Sequence, residues 1–438
     1  MSKEAIHPDF HDFPCGNLCH ENCTIREEII RLQQHLVPLP QDASYKLIHA
    51  FFQSYRELLC HSSKRTRTHY APSFALPALF DLVVSAKYAA KMLSDGGWVY
   101  CAGEDTSGQS ALYFPFLNTC PRCSVQRGLK PLVKSNKPQS AIIGDIASDT
   151  TLQILSVVLN QINPSVKIGK NSDRQADVDF VIYDQHLLAL GEIKSSPLVI
   201  YPLAIALERP MTEVRNGGSI AKRDHTQATT DIMTANIAFY LPHRAQRIKL
   251  GGYNTTDWPY HALTNYLSNS KHVALFIAAW KELYEVYLGT AEKTENQRHI
   301  DNRRWLLCGC GGKVDDSKNA PGMDRTDDIK KGLYQVLKFG AYYKDQCPLR
   351  RLRAVLSSNF FPHRKFDHYL KDMHDVLLTR ERYSITLRGK NDKEKIAFHK
   401  HNLFYLYDAL LCFTRSLYND QHLQDITSLE NFMDAFCV

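Results

Sequence analysis

The sequence has no run of about 18 uninterrupted apolar residues of the kind that crosses a bilayer. Its longest apolar runs, Val273 to Trp280 and Pro197 to Leu207, are much shorter. The opening MSKEAIHPDF has no apolar core that a signal peptide could use. There are no internal repeats, no low-complexity tract and no Walker-type phosphate loop. Transmembrane, secreted, fibrous and ATP-driven readings are set aside on these grounds, which leaves a cytoplasmic protein with no membrane and no ATP as the expectation. With 438 residues, 44% hydrophobic and 23% charged, the chain is globular and long enough for two or three structural units.

Acidic side chains are missing from particular places. None occurs from Thr106 to Gly144, where Arg122, Arg127, Lys130, Lys134 and Lys137 stand. No Glu lies between Glu104 and Glu192. Residues 1–100 hold 10 acidic and 10 basic groups and cancel, whereas Ala341 to Arg415 holds 15 Lys/Arg against 8 Asp/Glu. Basic charge gathered in two segments suits a polyanionic partner, with nucleic acid first.

Without an export signal, the twelve cysteines are expected as reduced thiols. Three groupings stand out: Cys15, Cys19 and Cys23 with His20 among them, Cys120 and Cys123 in a CPRC knuckle, and Cys308 and Cys310 in CGCGG. A structural zinc needs four N or S ligands, commonly two close pairs joined by the fold. Cys120, Cys123, Cys308 and Cys310 supply two such pairs, and the N-terminal cluster is the other candidate.

The chain divides into a helical N-terminal region (1–97), a core (98–345) and a basic, mainly helical C-terminal region (346–438). Helices are expected over Ile25 to Leu36, Ser44 to Cys60, Ala75 to Leu93, Leu152 to Ile162, Thr226 to Phe239, His261 to Leu288, Asp327 to Tyr343 and Phe404 to Leu417. The Asp327 to Tyr343 helix is expected to be capped by Thr326, with Leu333, Val336, Leu337 and Gly340 facing inward. Strands are expected within Trp98 to Phe116 and at Val166 to Gly169. The clearest strand signal is VDFVIY (Val178 to Tyr183) and LLALGEIK (Leu187 to Lys194), joined by the turn Asp184-Gln185-His186. The fold class is therefore α/β: a small mixed central sheet flanked by helices, between helical ends.

In a strand, side chains alternate faces, so Glu192 and Lys194 project together. The hairpin can bring Asp179 beside Glu192. Two carboxylates and an ammonium in one pocket suit Mg²⁺, a hard cation that takes its remaining ligands from water and phosphate. Such a metal stabilises charge on a phosphate and activates water, which points to phosphodiester hydrolysis. Asp316/Lys318 and Asp328/Lys330 share the [DE]-x-K spacing, but neither lies in an apolar strand.

Asp179, hydrophobic residues, a turn, then hydrophobic residues ending in Glu192-Ile193-Lys194 resemble the PD-(D/E)xK nuclease superfamily, and within it the type II restriction endonucleases. The resemblance covers roughly Ser140 to Lys249. It implies a restriction-endonuclease-like core in a bacterial or archaeal cell, with Asp179 and Glu192 as Mg²⁺ ligands, the Ile193 carbonyl facing the metal, and Lys194 as the catalytic lysine. Asp177 is the alternative to Asp179 if the register differs. The motif's proline is replaced by Val178. The upstream helix carboxylate would be Asp145 or Asp149, and a Gln-x-x-x-Tyr helix is broken because Phe339 follows Gln335. The implied activity is site-specific hydrolysis of double-stranded DNA, leaving 5′-phosphate and 3′-hydroxyl ends, by a homodimer with the N-terminal region as a candidate interface. A repair or junction-resolving nuclease and a non-enzymatic, zinc-stabilised DNA-binding protein are the alternatives. His363, His368, His374, His399 and His401 lack metal spacing and read as surface or DNA-facing residues.

Overall fold

The structure is a computed structural model. It describes residues 26–95, 98–102, 110–115, 140–173, 176–206, 215–216, 219–220, 237–241, 247–253, 257–290, 320–344, 352–378 and 404–437. In chain order the main helices are α1 (Arg26–Gln34), α2 (Ala43–Cys60), α3 (Pro72–Asp95), α4 (Ser140–Ile162), α5 (Tyr260–Leu267), α6 (Ser270–Leu288), α7 (Thr326–Phe339), α8 (Gln421–Thr427) and α9 (Leu429–Cys437). The strands of the two main sheets are β1 (Leu36–Val37), β2 (Trp98–Ala102), β3 (Ser110–Pro115), β4 (Lys167–Asn171), β5 (Phe180–Tyr183), β6 (Leu188–Ile193), β7 (Leu203–Ala206), β8 (Ile237–Tyr240), β9 (Arg247–Lys249), β10 (Leu352–Ser358), β11 (Ala409–Cys412) and β12 (Leu417–Tyr418).

Seven strands form the central mixed sheet in the order β1-β4-β5-β6-β10-β11-β12. β4, β5 and β6 make an antiparallel meander, while β6, β10 and β11 run parallel. The sheet thus draws strands from all three regions expected from sequence, with its centre at β6 and β10. A second, antiparallel sheet has the order β9-β8-β7-β3-β2.

The two-residue period of the meander sorts its side chains between two cores. Phe180, Ile182, Ala189 and Ile193 pack with Leu152, Leu155 and Leu159 of α4. Val181, Tyr183, Leu188 and Leu190 face the other way, toward Ile329, Val336 and Phe339 of α7. Gly191 is required between them, because a Cβ there would lie 2.1 Å from the Phe180 ring. The largest core joins α2, α3 and α6 to the second sheet, and Trp280 and Tyr201 are among its fully buried side chains.

Several expectations need correction. Ala409–Cys412 is a strand buried on both faces, so Phe404 to Leu417 is not one helix. Ile237–Tyr240 is likewise a strand. His261 to Leu288 splits into α5 and α6, with Asn269 capping the second. On α7 the N-cap is Arg325, and the inner face is Ile329, Gly332, Val336 and Phe339 rather than one that includes Leu337, which is 41% exposed. Among the described residues two helical stretches, Lys64–Lys91 and Ile142–Ile162, are long and apolar enough to cross a membrane by composition, although 78% and 67% of their apolar 18-residue windows are buried within the protein. They are core helices of the two layers just described.

Candidate active site

The β5–β6 hairpin forms in the expected register, with Phe180 opposite Gly191 and Tyr183 opposite Leu188. Asp184 builds the turn by accepting the N–H groups of His186 (2.6 Å) and Leu187 (2.8 Å). Asp179 continues the ladder one residue beyond β5: its N–H reaches the Gly191 carbonyl at 2.9 Å, and its carbonyl accepts the Asn171 N–H. By the strand period Glu192 and Lys194 lie on the α7 face, and Asp179 is close enough for its charge to act on Glu192. The structure thus brings together the three residues singled out in the sequence.

Their contacts are specific. The Asp179 carboxylate accepts the Ile193 N–H at 2.9 Å. Lys194 donates through Nζ to Glu192 Oε1. Glu192 is 4% exposed. Burial, then the neighbouring Asp179 charge, push its pKa up to about 8 against the pull of Lys194. A hydrogen bond between the Asp179 and Glu192 carboxyls adds to that rise. Glu192 thus holds its proton into the neutral range beside the Asp179 carboxylate and the Lys194 ammonium, an arrangement that a cation would relieve. In an extended strand the N–H and C=O of one residue point to the same side. The Ile193 carbonyl therefore faces the side on which its N–H meets Asp179.

Asp177 lies on the same face, but its carboxylate is paired with Lys338 of α7. Asp149 is on α4, behind the sheet, and bonds Lys170 of β4 at 2.6 Å. It is therefore committed to a strand rather than to the Asp179–Glu192 pair. Cys15, Cys19, Cys23, Cys120, Cys123, Cys308 and Cys310 lie outside the described residues. Among the described residues no three His, Cys, Asp or Glu side chains group as metal ligands. A cation held by Asp179 and Glu192 would complete its shell from water, the Ile193 carbonyl and substrate.

No family model, curated protein or solved structure matches the chain. The reading of the site rests on its residues.

What holds Lys194 in place has no counterpart among the sequence motifs. Its N–H bonds the Ser357 carbonyl of β10 at 2.9 Å. Asn359 then clamps Ser196 from both sides, accepting its N–H at 3.0 Å and donating to its carbonyl at 2.8 Å. Thr151 of α4 donates to Ser195 Oγ at 2.8 Å. Beyond Pro197, the fully buried Asp81 of α3 accepts the N–H groups of Leu198 (3.1 Å) and Val199 (3.0 Å) and the Trp280 indole N–H (2.7 Å). These partners are more than 40 residues from the segment they hold, so no local pattern announces them.

Proposed function

We propose that this protein is a Mg²⁺-dependent endonuclease for double-stranded DNA, of the type II restriction kind and homodimeric. The observation that carries the reading is the group Asp179–Glu192–Lys194, two carboxyls and one ammonium around a buried Glu192, at the end of a central hairpin. A small mixed sheet flanked by helices is the setting expected for a restriction-endonuclease-like core. The basic stretches of the sequence supply attraction for a polyanion.

The donor set is all oxygen and hard, which suits Mg²⁺ better than a thiophilic ion. Asp179 and Glu192 would hold the ion, with the Ile193 carbonyl beside them. When bound, Mg²⁺ supplies charge stabilisation to the scissile phosphate and lowers the pKa of water. Asp179 is oriented for this by the Ile193 N–H, and burial, with the Asp179 charge beside it, keeps Glu192 protonated until a cation arrives. Lys194, fixed by Glu192 and by its backbone bond to β10, presents an ammonium on the same face to balance charge at the phosphate. Burial of Glu192 strengthens each of these interactions.

Plasmid incubated with Mg²⁺ should give discrete fragments with wild-type protein. Asp179→Asn and Lys194→Ala should each lower the cleavage rate by about a thousandfold or more. Asp179→Asn should keep DNA binding, since it removes a charge that repels phosphate, and Lys194→Ala should not tighten it. Cleavage by both variants at the wild-type rate would show that the hairpin is only a charged edge of the sheet. Nicking of branched substrates without discrete plasmid fragments would move the reading to a junction-resolving nuclease.

A further inference from the structure

Two exposed arginines at the carboxyl end of the central sheet rest on aromatic rings instead of on carboxylates. Because β6, β10 and β11 are parallel, Lys194, the loop after Ser358 and the loop after Cys412 all leave from that end. Arg364 follows β10. Its guanidinium lies 4.0 Å from the centroid of the Tyr287 ring and donates to the Tyr287 carbonyl. Arg415 follows β11 and lies over Phe361 (4.8 Å) and Phe366 (5.7 Å). His363 links the two: it packs against Phe361 at 5.1 Å and bonds the Tyr284 hydroxyl at 3.0 Å.

No carboxylate forms a salt bridge with either guanidinium among the described residues. Asp324, whose carboxylate feels the Arg364 charge, is 2% exposed and has both oxygens occupied by other donors. Its Oδ1 accepts the Arg364 backbone N–H at 2.7 Å, and its Oδ2 accepts the Tyr287 hydroxyl at 2.6 Å. Asp367, on the next turn, faces Lys371 at 3.7 Å. The patch is also tied to the candidate active site. Gly322, two residues before Asp324, donates its N–H to Ser196 Oγ at 2.8 Å, and Ser196 is two residues past Lys194. Gly322 has φ +46°, and a Cβ there would meet Ser358 Oγ at 2.5 Å, so the turn that carries Asp324 is pinned to the end of β10.

A guanidinium stacked on a ring keeps its planar fork directed outward at low entropic cost; Arg415 spends no donor among the described residues, and Arg364 keeps donors beyond the one given to the Tyr287 carbonyl, so each can meet phosphate oxygens. We propose that Arg364 and Arg415 form a clamp for backbone phosphates of double-stranded DNA, beside but outside the Asp179–Glu192–Lys194 group. The identity of the polyanion as DNA rests on the nuclease reading above.

The test is metal-free binding of the full chain to a labelled duplex, followed by fluorescence anisotropy across a salt series. Arg415→Ala should weaken binding about tenfold and lower the slope of log K against log salt by about 1, and adding Arg364→Ala should lower it by about 2 in total. Arg415→Lys should keep most of the slope, and Arg415→Glu should weaken binding further. Lys371→Ala, on the neighbouring turn, should change neither quantity. Arg364 supports its own loop, so a thermal melt accompanies its variant. Arg415 makes no hydrogen bond among the described residues, and its variants carry the test if the Arg364 variant unfolds. Wild-type affinity and slope in both Arg415→Ala and Arg415→Glu would overturn the clamp, as would a wild-type protein that binds no duplex. A wild type that binds through these arginines yet never cleaves would sink the nuclease reading and leave the clamp standing.

Discussion

The central sheet carries a buried lysine–carboxylate pair at each end, and the two pairs are built on different charge counts. At the amino end of β10, Asp408 Oδ2 accepts both Lys344 Nζ (2.6 Å) and the Ala354 N–H (2.7 Å). Lys344 also reaches the Tyr405 carbonyl at 3.3 Å and lies 5.7 Å from the centroid of the Phe404 ring. One cation meets one anion, and the side chains are 9% and 7% exposed. At the carboxyl end, Leu356 of β10 stands beside Glu192, where one ammonium serves two carboxylates. Burial holds Lys344 below the usual lysine range more strongly than Asp408 restores it. At the other end burial lifts Glu192 to about 8. The first pair has little left to bind and reads as a fastener between β10 and the segment before β11. The second keeps a carboxyl protonated near neutral pH for want of a further cation, and a carboxyl that can exchange its proton for a metal is the property a cation site needs.

The largest difference should appear in stability. Asp408→Ala would strand the buried Lys344 ammonium and leave the Ala354 N–H bare, at an expected cost of about 3–5 kcal/mol in denaturant unfolding. Glu192→Gln replaces a carboxyl already held protonated near neutral pH by a neutral amide of the same shape, and should change stability by less than about 1 kcal/mol while abolishing cleavage. Equal destabilisation by the two variants would break the comparison, because it would make the Glu192 pair a fastener as well.

Acid should separate the ends by a smaller amount. At the carboxyl end, burial and then Arg415 hold the His363 pKa down at about 4, from 6.5. The unfolded chain therefore binds a proton below pH 6.5 that the folded chain refuses. Stability from this group is complete above 6.5 and is lost as pH falls through about 4. Wild type should lose about 2 kcal/mol more than His363→Gln between pH 6.5 and 4 by chemical denaturation, with partial exposure of the ring limiting the effect. Parallel pH profiles for the two proteins would show that His363 is hydrated and titrates normally.

What the sequence made legible follows from how local each signal is. The hairpin from Val178 to Lys194 was readable because its apolar residues run between turn residues, and Asp184 satisfies its own turn. Its acidic and basic positions therefore landed on one face without help from elsewhere. The helices α2 and α3 were readable from length and periodicity. Ala409–Cys412 was not, because a parallel strand buried on both faces is a continuous apolar run, with no period to tell it from a core helix. On α7 the inner face was misjudged because Gly332, with no side chain, is the residue that lies against Leu356, where a Cβ would approach to 2.8 Å. Close backbone approach buries that position and turns Leu337 outward. Asn359, Ser357 and Asp81 were invisible for a third reason: their role is set entirely by the 117–163 residues that separate them from the backbone they hold.

The smallest effect tests the charge imbalance directly, without requiring catalysis. If Asp179 and Glu192 take up a divalent cation, folding is linked to its concentration, because the unfolded chain does not present the two carboxylates together. At ten times the dissociation constant the gain is about 1.4 kcal/mol. Ca²⁺ is the better probe, since it accepts a looser oxygen shell and should bind without turnover. Binding must expel the proton that Glu192 holds, so the gain should be larger at pH 8 than at pH 6. Thermal melts of wild type should shift upward with Ca²⁺, and those of Asp179→Asn and Glu192→Gln should not. Asp408→Asn should shift as wild type does, although from a lower starting point, since its pair lies at the other end of β10. A Ca²⁺ shift that survives in both Asp179→Asn and Glu192→Gln would place the cation elsewhere and remove the distinction drawn between the two pairs.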